Sequence, residues 1–255
     1  MIGCIIQARM GSSRLLNKVL MKIDENDSVL SSVIKQIQNC KLIEKIIVAT
    51  TNKREDDLIR DYVTSVGIEC FRGNALDLLT RYYRCAKKYS LSAIVRITSD
   101  CPLIDPTVVD TIVSNYKENS YEYVSNYFPR TYPIGMGVEI FSFKALEYAW
   151  KNATLPSERE HVSPFFNNQN QLRKFNVKHI PDLSYIRVTV DRIDDLKLIQ
   201  LLVKKISARP ILLTDILNVV RSEPELLTLN NYDRDEGYVK TLERDKKFLA
   251  RQNKK

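Results

Sequence analysis

Three cations and a run of small residues stand together near the start of the chain, where Arg9, Arg14 and Lys18 surround Gly11, Ser12 and Ser13. Glycine and serine let a backbone turn tightly and present its N–H groups, and guanidinium and ammonium groups donate strongly to phosphate oxygens. The combination suits a polyphosphate. It is not a Walker motif, because Asn17 precedes Lys18 where that motif has glycine, and Val19 follows where it has serine or threonine. Two aspartates far downstream, Asp100 and Asp191, are candidates to complete the loop. Two hard carboxylates with phosphate oxygens and water suit Mg²⁺, which rarely takes an all-protein cage. Each aspartate also has a plain alternative: Asp100 as a turn cap before Cys101-Pro102, Asp191 as a cap for a helix beginning near Asp194.

These residues meet only if secondary structure carries them to one place. Met1 to Ile6 is apolar and rich in isoleucine, the pattern of a strand buried on both faces of a parallel sheet. Further strands are predicted at Lys45–Thr50, Ile68–Phe71, Ala93–Thr98, Lys174–Ile180 and Ile186–Val190. Helices are predicted at Ser28–Cys40, Asp56–Val66, Asp77–Tyr89, Pro106–Tyr116, Lys144–Ala153, Glu158–Asn167 and Asp194–Lys205. Strand–helix alternation of this spacing predicts an α/β fold with a mostly parallel sheet. The cationic loop, Asp100 and Asp191 each then follow a strand, on the rim where such sheets bind ligands. Residues 121–143, with Pro129, Pro133, Gly135 and Gly137, read as a β-ribbon or irregular excursion, and residues 207–255 as a helical extension of a domain spanning 1–206.

Composition sets the context. A chain of 255 residues, 44% hydrophobic, is long enough for one large domain. No stretch has the ~20 apolar residues of a membrane helix, and no secretory leader is recognisable, so a cytoplasmic protein is expected. Five widely spaced cysteines without a C-x-x-C pair agree with reduced thiols. From Lys240 onward seven cations face two acids, so much of the net +8 charge belongs to a tail, and binding of nucleic acid is not expected.

The chain resembles the cytidylyltransferases of the spore-coat polysaccharide synthesis type, relatives of the enzymes that make CMP-sialic acid and CMP-Kdo. The resemblance rests on Ile5–Arg14, Val48–Thr50, Phe71–Gly73, Arg81–Tyr83, Val95–Asp105, Tyr123–Asn126, Arg159–Val162 and Thr189–Asp191, in the family's order over residues 1 to about 200. It implies a Rossmann-like nucleotidyltransferase, a three-layer sandwich that binds CTP at the first loop, transfers CMP to an acidic acceptor and releases pyrophosphate, with Mg²⁺ as cofactor. The family's phosphate-loop cations fall on Arg9, Arg14 and Lys18, and its metal carboxylates on Asp100 and Asp191. Its nucleotide contacts fall near Ala8, Gly11, Ser12, Ser13, Gly73, Asn74, Arg81 and Ser99, and its acceptor side near Glu139, Arg159, His161 and Arg192. Relatives dimerise through an arm like residues 121–143, so a homodimer is expected.

Departures from the family pattern concern the acceptor more than the nucleotide. Leu16-Asn17 replaces a usual Pro-Gly, Thr80 an aspartate, Ser99 a glycine, Gly137 an aspartate and Arg192 a threonine. His161 is open to two readings, an acceptor contact or acid–base group and a packed histidine. A glycosyltransferase using a nucleotide-sugar donor is a competing reading, but Ser99-Asp100-Cys101 lacks the D-x-D pair such enzymes use. A catalytically silent binding subunit is the other; retention of every proposed charged group weighs against it.

Overall fold

The computed structural model describes residues 1–12, 14–232 and 236–252, the last stretch with side chains from 241 onward. Seven strands form one sheet: β1 (Ile2–Gln7), β2 (Lys45–Thr51), β3 (Glu69–Gly73), β4 (Ala93–Thr98), β5 (Tyr123–Ser125), β6 (Glu139–Ser142) and β7 (Lys174–Asn176). Their order is β3-β2-β1-β4-β6-β5-β7, parallel throughout except that β6 runs against both β4 and β5.

Alternation along the strands divides the core into two layers. Cys4, Ile6, Val48, Val95 and Ile97 face one side, packing on α1 (Val29–Ile37), α2 (Asp57–Ser65), α4 (Pro106–Glu118), α8 (Ile193–Lys205) and α9 (Leu213–Ser222). Ile5, Ile47, Ala49 and Ile94 face the other, against α3 (Leu78–Lys88), α5 (Phe143–Asn152) and α7 (Ser163–Asn168). Strand side chains alternate faces, so an uninterrupted apolar strand demands cover on both, and helix–sheet–helix layering follows.

The helix starts are written locally. In α1 the Ser28 hydroxyl accepts from the Ser31 N–H at 3.2 Å while Ser31 accepts from the Ser28 N–H at 2.7 Å, a reciprocal cap. Asp105 accepts from the Thr107 N–H at 2.6 Å, and Pro106 occupies the first turn of α4, where a missing N–H costs nothing. The C-terminal extension is fastened to this layer, with the Leu213 N–H donating to Asp105 Oδ2 at 2.7 Å and Gln36 exchanging two hydrogen bonds with Ile211.

Four segments differ from the sequence reading, the first being the strand predicted over Lys174–Ile180, which ends at Asn176 as the short edge strand β7. The single helix predicted over Glu158–Asn167 is two, α6 (Pro156–His161) and α7, broken at Val162 with φ 67°. Pro164 has no N–H to donate to residue 160, so the helical ladder fails there. The predicted excursion narrows, because β5 and β6 lie within the sheet and only residues 126–138 leave it. Ile186–Val190 is not a sheet strand. It runs extended beneath residues 131–136, exchanging backbone bonds with Ile134 at 2.9 and 2.7 Å, an approach that puts the Val188 carbonyl where any side chain on Gly135 would stand.

Candidate functional site

The sheet's connection order reverses between β1 and β4, whose ends are in register at Gln7 and Thr98. A crevice opens at the carboxyl ends of strands where such a reversal occurs. The cationic loop leaves β1 there. Its shape depends on Asp56, a fully buried carboxylate that accepts the Met10 N–H at 2.6 Å and the Thr51 hydroxyl. Met10 in turn offers its carbonyl to the N–H groups of Ser12 (2.8 Å) and Asn17 (3.3 Å), so the loop curls back on itself. Arg9 is exposed on this rim; Ser13 lies outside the described residues.

Lys18 closes the loop against the downstream aspartates. Its ammonium lies 2.8 Å from Asp100 Oδ2, 2.8 Å from Asp191 Oδ1 and 2.8 Å from the Val190 carbonyl. Two oxygens equally near one nitrogen can be no farther apart than twice that distance, so the carboxylates converge. Arg14 adds a bond to Asp191 Oδ1 at 2.6 Å. Burial alone would raise both carboxyl groups, but Lys18, aided at Asp191 by Arg14, outweighs it and holds both below the usual carboxylate range. Burial would likewise lower Lys18, yet the two carboxylates raise it. All three therefore stay charged at neutral pH. The Asp100 backbone is held too, its carbonyl accepting from the Val190 N–H (2.8 Å) and the Thr189 hydroxyl (2.9 Å).

Asp100 and Asp191 are the residues here that could hold a divalent cation. Among the described residues no group of three or more His, Cys, Asp or Glu side chains converges. An ion at this place would take oxygen from two carboxylates and complete its shell with phosphate and water, a donor set that fits Mg²⁺.

Within electrostatic reach of Arg9 and Asp56, Arg81 is only 4% exposed, and its Nε and Nη1 are buried without a hydrogen-bond partner. Burial lowers its pKa. An orphaned guanidinium beside a crevice is costly unless a ligand satisfies it. Gly73 lies against it: a Cβ there would stand 3.1 Å from Arg81 Cγ. Asn74 turns the chain into α3, its Oδ1 accepting from the N–H groups of Leu76 (2.8 Å) and Asp77 (3.0 Å). Ser99 is buried, with its N–H on the Gln7 carbonyl at 3.1 Å, and Ala8 is pinned by its N–H to Ala49 at 3.2 Å.

The residues assigned to the acceptor side have internal partners. Glu139 is fully buried and pairs with Arg96 at 2.5 Å, Tyr123 at 2.6 Å and Ser163 at 2.7 Å, so it presents no free carboxylate to a ligand. Arg159 grips Asp77 (2.6 Å), Thr80 (3.0 Å) and the Trp150 carbonyl (2.8 Å), tying α6 to the start of α3. His161 Nε2 meets the Thr241 hydroxyl at 3.0 Å, and Arg192 lies 4.3 Å over the Tyr232 ring. Where the family pattern has an aspartate, Gly137 leaves space that the Tyr127 ring fills completely. Burial pushes the Tyr127 phenol up to about 12, keeping it neutral, and Arg130 sits 5.0 Å over its ring. Asp56, Tyr127 and Arg187 were not singled out by sequence, and Arg96, although it lies in the Val95–Asp105 segment that carries the resemblance, was given no role there; each acts through a tertiary partner.

A three-layer α/β sheet with a cationic loop facing paired aspartates at its switch point defines a nucleotidyltransferase. The family model for cytidylyltransferases matches residues 3–251, and the chain belongs to that family, which makes it a CTP-dependent nucleotidyltransferase. It is 32% identical to a cytidylyltransferase of Leptospira borgpetersenii of known structure, with a TM-score of 0.85 over 91% of this chain and 99% of that one. It is 28% identical to the spore coat polysaccharide biosynthesis protein SpsF of Bacillus subtilis, over 91% of this chain and 94% of that protein. A CMP:2-keto-3-deoxy-manno-octonic acid synthetase in complex with CTP shares the fold at 17% identity, with a TM-score of 0.61 over 80% of this chain and 98% of that one.

Proposed function

We propose that the protein acts in surface-glycan biosynthesis by transferring CMP from CTP, with Mg²⁺, to an acidic sugar or a small phosphorylated acid, with release of pyrophosphate. The observation that carries this reading is the meeting of Lys18 with Asp100 and Asp191 on one rim, three groups drawn from distant parts of the chain. The acceptor class is supported by relatives named for spore-coat polysaccharide and for 3-deoxy-manno-octulosonate chemistry. We place the protein in the cytoplasm as a homodimer.

In this reaction an acceptor oxygen attacks the α-phosphorus of CTP in line, and the bond from that phosphorus to the bridging oxygen of pyrophosphate breaks. Arg9, Arg14, the Gly11 N–H and the Ser12 hydroxyl bind the β- and γ-phosphates, and Lys18 adds positive charge beside the leaving group. Arg81, Gly73 and Asn74 hold the nucleoside. Asp100 and Asp191 would hold Mg²⁺, which when bound screens phosphate charge and aligns the triphosphate. No protein nucleophile is required.

Pyrophosphate release is the direct test, measured with each of the four nucleoside triphosphates against a panel of sugar acids and phosphorylated acids in Mg²⁺. Release with CTP and at least one acid acceptor is expected. Release confined to another triphosphate, or transfer only to neutral acceptors, would overturn the proposal.

A further inference from the structure

Asp191 carries its two oxygens in different company. Oδ1 faces the crevice, meeting Lys18 and Arg14, whereas Oδ2 is taken from behind by Arg187 Nη2 at 3.0 Å. The same guanidinium clamps Asp195 as a fork, Nε to Oδ1 at 2.8 Å and Nη2 to Oδ2 at 3.2 Å. Asp195 is fully buried, and its Oδ2 also accepts the backbone N–H groups of Asp191 and Arg192, both at 2.9 Å. Asn230, 3% exposed, seals the unit by donating to Asp195 Oδ1 at 2.9 Å and to the Arg187 carbonyl at 3.1 Å. One buried unit thus fixes both the backbone and the far oxygen of Asp191.

We infer that Arg187, locked by Asp195 and Asn230, is the positioning residue that turns Asp191 Oδ1 toward the cation and phosphates. The inference rests on the proposed role of Asp191. A site with only two protein carboxylates has no third ligand to compensate when one rotates, so the orienting partner sets affinity for the ion. The planar fork matters as well as its charge, because two acceptors are held by one rigid group, which a lysine ammonium cannot reproduce.

The experiment is Mn²⁺ titration of the protein with CTP, free Mn²⁺ being read by electron paramagnetic resonance, alongside CTP binding without metal and a thermal melt. The variants are Asp191→Asn, Arg187→Lys, and Arg187→Met combined with Asp195→Asn, which removes the charge pair together and leaves no lone buried ion. In folded Arg187 variants half-saturating Mn²⁺ is expected to rise by about 10- to 100-fold, with Lys the milder, while metal-free CTP binding is unchanged. If Asp191→Asn weakens Mn²⁺ binding and the folded Arg187 variants do not, the positioning role falls and the metal site stands. If Asp191→Asn itself leaves Mn²⁺ binding intact, the metal reading of Asp191 falls and takes this inference with it.

Discussion

Lys18 has all three of its N–H donors on oxygens 2.8 Å away, two of them ionised, in a side chain 10% exposed. A guanidinium cannot direct three donors from one nitrogen, so neither Met nor Arg at this place reproduces the arrangement. Lys18→Met leaves the two carboxylates without their shared counter-charge and is expected to lower kcat for pyrophosphate release by about 10²–10³-fold, the usual loss for one preorganised charged group in an active site. A folded variant retaining near-native kcat would remove Lys18 from the chemistry. Gly137 is a residue whose importance is steric. Because the Tyr127 ring stands where its Cβ would go, Gly137→Ala overpacks the site and is expected to cost about 1–3 kcal/mol in urea unfolding. Tyr127→Ala in the same chain should recover part of that loss; additive losses would mean the two do not compete for space.

At the scale of elements, a clasp joins α6 to α10 (Glu236–Gln252). Asp245 caps the Ser157 N–H at 2.9 Å, Arg244 pairs with Glu160 at 2.6 Å, and His161 meets Thr241. Burial lowers the His161 pKa from 6.5, more than Glu160 raises it. The folded state therefore binds fewer protons than the unfolded chain just below that value, and its stability is complete above it and declines as pH falls. Thermal melts from pH 7.5 to 5 should show a steeper decline for the native chain than for His161→Asn, and parallel declines would refute the coupling. The clasp was not legible in the sequence, since it depends on surfaces far apart in the chain, whereas the break at Val162 was signalled by Pro164, through which the predicted Glu158–Asn167 helix was carried. What was legible was the local code. Isoleucine-rich β1, the Asp105-Pro106 start of α4 and the small residues after β1 each declare their structure within a few positions, and strand-end logic then brought Lys18 and Asp100 to one rim; Asp191 joins them although the run before it is held by Ile134 outside the sheet. Asp56 escaped because its partner is the backbone N–H of Met10, which no residue type advertises. Glu139 and Arg159 lie in motif-bearing segments, but only the packed layers reveal that their charges are already answered by Arg96 and Asp77.

For the whole molecule, the decisive property is that the site has no existence outside the fold. Lys18, Asp100 and Asp191 follow β1, β4 and the extended run beneath Gly135, so unfolding scatters them, and a ligand they hold binds the native state alone. Such a ligand stabilises by RT ln(1 + [L]/Kd), about 2.7 kcal/mol at a hundredfold excess over Kd, and the whole sheet gains because both helical layers pack on the same strands. CTP with Mg²⁺ should accordingly raise the midpoint of thermal unfolding by several degrees, and ATP or GTP at equal concentration by less. The net charge of +8 gives any triphosphate a weak general attraction that salt screens within about 10 Å at 0.1 M, so the comparison belongs at that ionic strength or above. Asp100→Asn combined with Asp191→Asn separates the contributions. It removes the two carboxylates but leaves Arg9, Arg14, Lys18 and Arg81, so CTP alone should still shift the melt while the further increment from Mg²⁺ disappears. An undiminished Mg²⁺ increment in that variant would mean that the ion is held by the triphosphate and not by the two aspartates.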